Sequence, residues 1–196
     1  MGKRQFDTAL QQFEHKDQVE IVLRSFELMP EAPAETDKDM YETVADKYGV
    51  SYEEAKALGD RVVRSAASVG LVYDIAHSHP TNSFDALRLV HLAAKHNRGL
   101  EMIERLYVAH FTEATNIGKP ENLKRLAAEV GLDEQEVAAI LEGDAYTEDV
   151  RADETEARKL GVNGVPYYTF DRKHGIFGSQ PSDVFLKTLE KAWAEQ

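Results

Sequence analysis

The run GVNGVPYYTFDRKHGIFGSQP, Gly161 to Pro181, restricts the fold more than any other stretch of the chain. A helical pattern ends on Gly161, a second glycine follows at Gly164, and Val165-Pro166 leads straight into Tyr167 and Tyr168. Proline has no amide hydrogen to give a sheet ladder, so it belongs at the first residue of a strand or on an edge. Val165 to Phe170 therefore reads as a strand, Asp171 to His174 as a turn, and Gly175 to Gly178 as a second short strand. X-Pro bonds are the ones that become cis at low cost. A cis bond here would present the Val165 N–H and C=O at the strand's start, where an extended peptide could pair by strand addition. Trans is the commoner isomer, and these residues alone leave both open.

The rest of the chain is mostly helical in pattern. Phe6, Leu10 and Phe13 recur at helical spacing between Lys3 and His15. Val19 to Phe26, VEIVLRSF, is rich in β-branched residues and reads as a strand. An acidic, proline-bearing loop follows, and from Asp39 to about Leu160 every segment reads as helix. Ser51 with Glu54 forms a capping box, and Asp133 with Glu136 repeats that logic. Ser83 to His96 carries Phe84, Leu87, Val90, Leu92 and Ala94 as its apolar set, and Glu101 to Phe111 carries Ile103, Leu106, Tyr107 and His110. Pro120 suits a helix first turn, and Gly131 and Gly161 suit helix C-termini. Ser182 to Trp193 closes the chain as a helix with Phe185, Leu186, Leu189 and Trp193 on one face. The order is helix–strand, a long helical block, then strand–strand–helix.

Composition narrows the function. The 196 residues are 42% hydrophobic, enough for one core domain with a sizeable insertion. A formal net charge of -12 repels phosphate backbones, so nucleic acid is not an expected partner. No apolar run approaches the roughly 20 residues of a membrane span, and no membrane partner is expected. The N-terminal MGKRQFDTALQQF lacks the apolar stretch of a secretory signal. With no such signal and no cysteine, a disulfide framework is excluded and the cytoplasm is the expected location.

The remaining polar candidates have plainer readings. His77 and His79 flank Ser78 beside Pro80 and line a loop rather than a metal site. His91 and Asp85, six apart on one helix, face different ways. His110 lies on an apolar stripe as a core or half-buried histidine. The acidic run Glu31 to Asp39 is a solvated loop. Tyr73, Phe84, Tyr107 and Phe111 could line a cleft, although aromatics at helical spacing more often pack. No metal ligands and no cofactor are expected.

ARKLGVNGVPYYTF and GIFGSQPSDVFLKTLEKAW together closely resemble the C-terminal part of DsbA-like thioredoxin-fold oxidoreductases, in the cytoplasmic FrnE-like branch. That family has a G-V-x-G-V-P-F-F run carrying a cis-proline and a G-A-Q-P run before the last helix. Here these are Gly161 to Tyr168 and Gly178 to Pro181, with Ser179 where alanine is usual. TNSFDALRLVHLAAKH resembles the family's N-T-x-x-A-H-R-L helix, with Leu87 where histidine is common. RLYVAHFTEATNIGKPENLKRLAAEVGLD and VRADETEARKLGV match as well, so the resemblance runs through essentially the whole chain.

The resemblance implies an α/β, thioredoxin-like fold with a large all-helical insertion. The core is residues 1–29 with 160–196, and the insertion is 30–159. It also implies a cis Val165-Pro166 bond, substrate binding by Gly164, Val165 and Pro166, and an extended peptide or thiol substrate. The family places a strand and a C-P-x-C-Y-x-G-K-R motif at the first helix. This chain matches from Met1-Gly2-Lys3-Arg4 onward, and reads as a shortened member whose first strand is missing. Its catalytic residues are then none, because thiol–disulfide exchange needs a thiolate. An unpaired Val19 to Phe26 edge would favour a homo-oligomer. Two alternatives share the fold or the loop. One is the kappa-class glutathione transferase and 2-hydroxychromene-2-carboxylate isomerase group, and the other is a peptide-binding module without turnover.

Overall fold

The computed structural model describes residues 1–33 and 36–196, and divides into two units. Unit one is Met1–Val22 with Ala157–Gln196, and unit two is Leu23–Glu156.

Unit one begins with helix α1, Gly2–Gln12, followed by a single 3-10 turn at Lys16–Gln18. The expected helix to His15 stops earlier, because Phe13 already has extended backbone angles. Strands β1, Tyr167–Phe170, and β2, His174–Phe177, form an antiparallel hairpin with Tyr168 opposite Ile176. β1 is shorter than the expected Val165 to Phe170, since the ladder begins only after Pro166, and β2 keeps its expected length but lies one residue earlier than Gly175 to Gly178. Asp171 and Arg172 at the hairpin tip both have positive φ, and Lys173 N–H closes the turn on the Phe170 carbonyl. The last helix, Ser182–Ala194, lies against α1. One face of α1, one face of the hairpin and one face of this helix share a core of Phe6, Ala9, Phe13, Phe170, Ile176, Phe185 and Leu189. The Gln5 side chain accepts from the Ser182 amide at 3.1 Å, capping the last helix from α1.

Unit two is helical: α2 Met40–Tyr48, α3 Tyr52–Ala67, α4 Phe84–Lys95, α5 Gly99–Tyr107, α6 Pro120–Glu129, α7 Glu134–Glu142, and α8 Thr147–Lys159 up to Glu156. The hairpin and the final helix, α9, complete the chain. Leu89, Leu92, Met102, Leu106, Leu123, Leu126, Val137 and Ile140 form the core of α4 to α7. On α4 the buried stripe is Ala86, Leu89, Val90, Leu92 and Ala93, whereas Ala94, expected inside, is exposed.

The caps account for the helix starts. Asp39 with Glu42 and Ser51 with Glu54 form complete capping boxes. Asp133 accepts from Gln135 and Glu136, but no reciprocal bond forms, because the Glu136 carboxylate meets His96 at 2.8 Å. Gly131 and Gly161 take left-handed angles, φ 80° and 71°, at helix ends that a side chain would strain. Arg88, 3% exposed, donates to the carbonyls of Ile140, Gly143 and Ala145 and to Asp85, so one buried cation closes the end of α7.

Val19 to Phe26 is not a strand. Its backbone forms no ladder among the described residues, and the chain's described sheet has two strands. β-branched composition favours a strand only where a neighbour shares its N–H and C=O groups, and here side chains take that place, as at the Ser25 amide described below. Ile21 and Val22 are left exposed. Of the acidic run Glu31 to Asp39, Ala34 and Glu35 lie outside the described residues.

Candidate functional site

Within unit one, the first turn of α1 and the loop before β1 meet at Gly2. A Cβ on Gly2 would stand 2.7 Å from the Tyr168 hydroxyl and 2.8 Å from Pro166 Cγ, closer than real side chains come. Packing sets Tyr168 in place: its ring stacks on Phe6 at 5.7 Å and meets Phe185 edge-on at 4.8 Å. The Val165–Pro166 bond is cis. The Pro166 carbonyl accepts from the Gly178 amide at 2.8 Å, which ties the loop to the β2 side. Val165 is 40% exposed, and among the described residues no hydrogen bond reaches its N–H or C=O. A Cβ on Gly164 would stand 3.6 Å from the Phe177 ring, an ordinary contact.

Gly164, Val165 and Pro166 thus sit together beside the start of α1. A helix N-terminus carries partial positive charge. The loop, the Tyr168 phenol and the helix end can hold an extended chain through its backbone and stabilise negative charge next to it. The 196 residues supply no thiol at this place.

Unit two holds three polar groupings that sequence spacing does not reveal. Ser25 N–H donates to Asp153 Oδ2 at 2.8 Å, and Arg24 Nη1 reaches Asp153 Oδ1 at 2.9 Å. Ser25 Oγ lies 3.0 Å from His91 Nε2, which is also 3.4 Å from Asp153 Oδ2. The serine and the aspartate thus use the same ring nitrogen. A nucleophilic relay needs them on opposite nitrogens, and Ser25 is only 4% exposed. The grouping anchors residues 24–25 to α8. Burial alone would raise the Asp153 carboxyl, but bonds from His91, the Ser25 amide and Arg24 outweigh it and hold it below the usual carboxylate range.

Next to it, Arg151 Nη1 joins Glu27 at 2.5 Å and Glu154 at 2.9 Å. The Glu27 side chain is 1% exposed and its Oε1 has no partner. Burial raises the Glu27 carboxyl; Arg151 works against this, and the neighbouring Glu154 adds to it.

The third grouping surrounds a π-helical turn at Val108–Thr112, which continues α5. His110 lies in it, half-buried, with Nδ1 enclosed and unpartnered. Burial, with His79 nearby, lowers His110 to about 4, so it is neutral at ordinary pH. Tyr73 stacks on Phe111 at 4.7 Å, with Tyr107 at 6.2 Å from Phe111. Phe84 does not join these aromatics but lies under the Arg151 guanidinium at 4.4 Å. His77 pairs with Asp74 at 2.8 Å, and His91 pairs with Ser25 and Asp153 rather than with Asp85. No grouping of three or more metal-ligating side chains occurs among the described residues.

Comparison with known proteins decides the family. The model of the DSBA-like thioredoxin domain matches residues 1–190. The chain belongs to the DsbA-like thioredoxin-domain family. A solved structure of a probable DsbA oxidoreductase from Streptomyces coelicolor is 39% identical and superposes with a TM-score of 0.93 over 100% of this chain and 84% of that one. No curated protein matches. The DsbA-like chain is thus a thioredoxin-like α/β fold with a large helical insertion, of which the described residues show a two-stranded sheet. Its Gly2 and Tyr168 are the site residues that motif reading did not single out. The glycine was visible in Met1-Gly2-Lys3-Arg4, but nothing in the sequence sets Tyr168 above Tyr167.

Proposed function

We propose that this DsbA-like chain is the substrate-holding part of a thiol–disulfide oxidoreductase of the FrnE-like branch, and that Gly164, Val165 and Pro166 bind an extended peptide or thiol substrate. The open Val165 N–H and C=O, exposed beside the start of α1, carry this reading. The helix N-terminus supports it, because a cysteine placed there would have its thiol pKa lowered and its thiolate favoured. Exchange itself requires that thiolate to attack a sulfur. The 196 residues contain no cysteine, so by themselves they hold substrate without redox turnover. A cytoplasmic location belongs to the same proposal, supported by the absence of cysteine.

The test is insulin reduction by two proteins: the 196 residues alone, and the same chain preceded by a strand and Cys-Pro-x-Cys in the family's position ahead of Gly2. The first should match the blank and the second should turn over. Turnover by the cysteine-free chain, or none by a folded cysteine-bearing one, would contradict the proposal.

A further inference from the structure

We propose that Asn163 is a self-modification site, where the Asn163-Gly164 unit converts through a cyclic imide to aspartate and isoaspartate and so ages the loop that leads into Val165-Pro166. Asparagine is among the thermolabile residues. The Gly164 backbone nitrogen attacks Asn163 Cγ and gives up its proton as the new C–N bond forms. The side-chain nitrogen leaves as ammonia. Water then opens the five-membered imide at either carbonyl, one opening giving aspartate and the other isoaspartate, whose backbone runs through Cβ. One water is consumed, one ammonia is released, and nothing is oxidised or reduced. A following glycine obstructs this attack least, because it has no Cβ and the widest backbone freedom.

The fold leaves this pair free to react. Gly161 N–H returns to the Arg158 carbonyl at 3.1 Å and Val162 N–H to the Ala157 carbonyl at 2.9 Å, which closes α8. Among the described residues Asn163, Gly164 and Val165 make no backbone hydrogen bond, and the next one along the loop is at the Pro166 carbonyl. Asn163 is exposed, and no hydrogen bond reaches its side chain among the described residues. The other four asparagines are followed by Ser83, Arg98, Ile117 and Leu123, whose side chains hinder the attack. Three of them are also tied down. Asn82 bonds the Pro30 carbonyl and the Phe84 amide, Asn116 accepts from Gly118, and Asn122 donates to the Asn116 carbonyl. Gly161 to Phe170 carries no charge, so conversion puts the first carboxylate of that stretch two residues before Val165. The isoaspartate form also adds a backbone carbon between the anchored Val162 and the Val165 N–H, and displaces the group offered to a peptide. That loss of binding rests on the substrate site proposed above, whereas the conversion does not.

Timed incubation of the folded chain at neutral and mildly alkaline pH tests it, with peptide-mapping mass spectrometry at each asparagine and isoaspartate detected by enzymatic methylation. The variants are Asn163→Gln, whose longer side chain disfavours the five-membered ring, and Gly164→Ala, whose added Cβ makes only an ordinary contact at 3.6 Å. A synthetic peptide of residues 157–170 supplies the unprotected rate. The mass gain of exchanging NH2 for OH should appear at Asn163 about tenfold or more faster than at any other asparagine, and within about tenfold of the peptide. It should quicken with pH and be suppressed in both variants. The cysteine-bearing chain of the insulin test should convert at the same position, since the reaction uses only atoms of Asn163, Gly164 and water. Should Gly164→Ala fail to fold, Asn163→Gln decides alone. Aged wild type should lose binding of a disulfide-bearing peptide, while equally aged Asn163→Gln keeps it. Conversion at Asn163 no faster than elsewhere, protection far beyond tenfold relative to the peptide, or aged wild type that binds as well as fresh overturns the proposal. A fresh chain that binds no peptide counts against the substrate site instead, and the mass gain at Asn163 then decides the modification by itself.

Discussion

The Ser25 amide donates to Asp153 Oδ2 at 2.8 Å across 128 residues of sequence, and this bond holds a ladder-free segment in place. Asp153 is ionised with its carboxyl below the usual range, so its stabilisation is present above the unfolded carboxylate pKa and is lost as pH falls through the folded value. Asp153→Asn should cost about 1–3 kcal/mol at neutral pH, and the difference from wild type should shrink on acidification. Urea melts at a series of pH values check this.

Glu27 titrates with the opposite sign. Its carboxyl is raised by burial, so the stability it contributes is full below the unfolded pKa and is lost as pH rises through the folded one. Glu27→Gln keeps a neutral side chain at every pH. Relative to wild type, the variant should therefore gain stability steadily from acid to neutral pH. Thermal melts across that range would show it, and a constant difference would argue against a buried, proton-holding Glu27.

Gly2→Ala should destabilise unit one by about 1–3 kcal/mol, because the added methyl overlaps the Tyr168 hydroxyl and Pro166. Pairing it with Tyr168→Phe removes one of the two clashing atoms and should recover part of the loss. Denaturant midpoints of the single and double variants check the contact directly.

Arg88→Met should cost ~2 kcal/mol or more, since the bonds to the Ile140, Gly143 and Ala145 carbonyls disappear together. Arg88→Lys should recover little, because an ammonium cannot reproduce the planar fork that reaches several acceptors at once. Hydrogen exchange at the end of α7 should rise in both variants.

Much of this fold is local and therefore legible. Apolar periodicity located α4 and α9, Ser51 with Glu54 marked the start of α3, and Gly161 with Pro166 announced the hairpin. The misses share one physical cause, which is dependence on distant partners. Val19 to Phe26 has strand composition, but strand formation needs a neighbour that the described residues do not place beside it. Glu27 and Arg151 look like ordinary surface charges until the fold brings them together 124 residues apart. Ala94 follows helical spacing, yet the partner helices leave it on the solvent side of α4. At the candidate site, Gly164 to Pro166 were readable from their order, whereas the Tyr168 hydroxyl over Gly2 depends on how Phe6 and Phe185 hold the ring.

The most direct measurement is an amide NMR titration of the 196-residue chain with an extended, disulfide-bearing peptide, kept dilute so that the chain is monomeric. We expect the largest shifts at Gly164 and Val165, with the first turn of α1 following, and loss of binding in Val165→Pro, which removes the open N–H. Shifts confined to α2–α3 or to the Val108–Thr112 turn, or binding unchanged in Val165→Pro, would contradict the assignment of the substrate site.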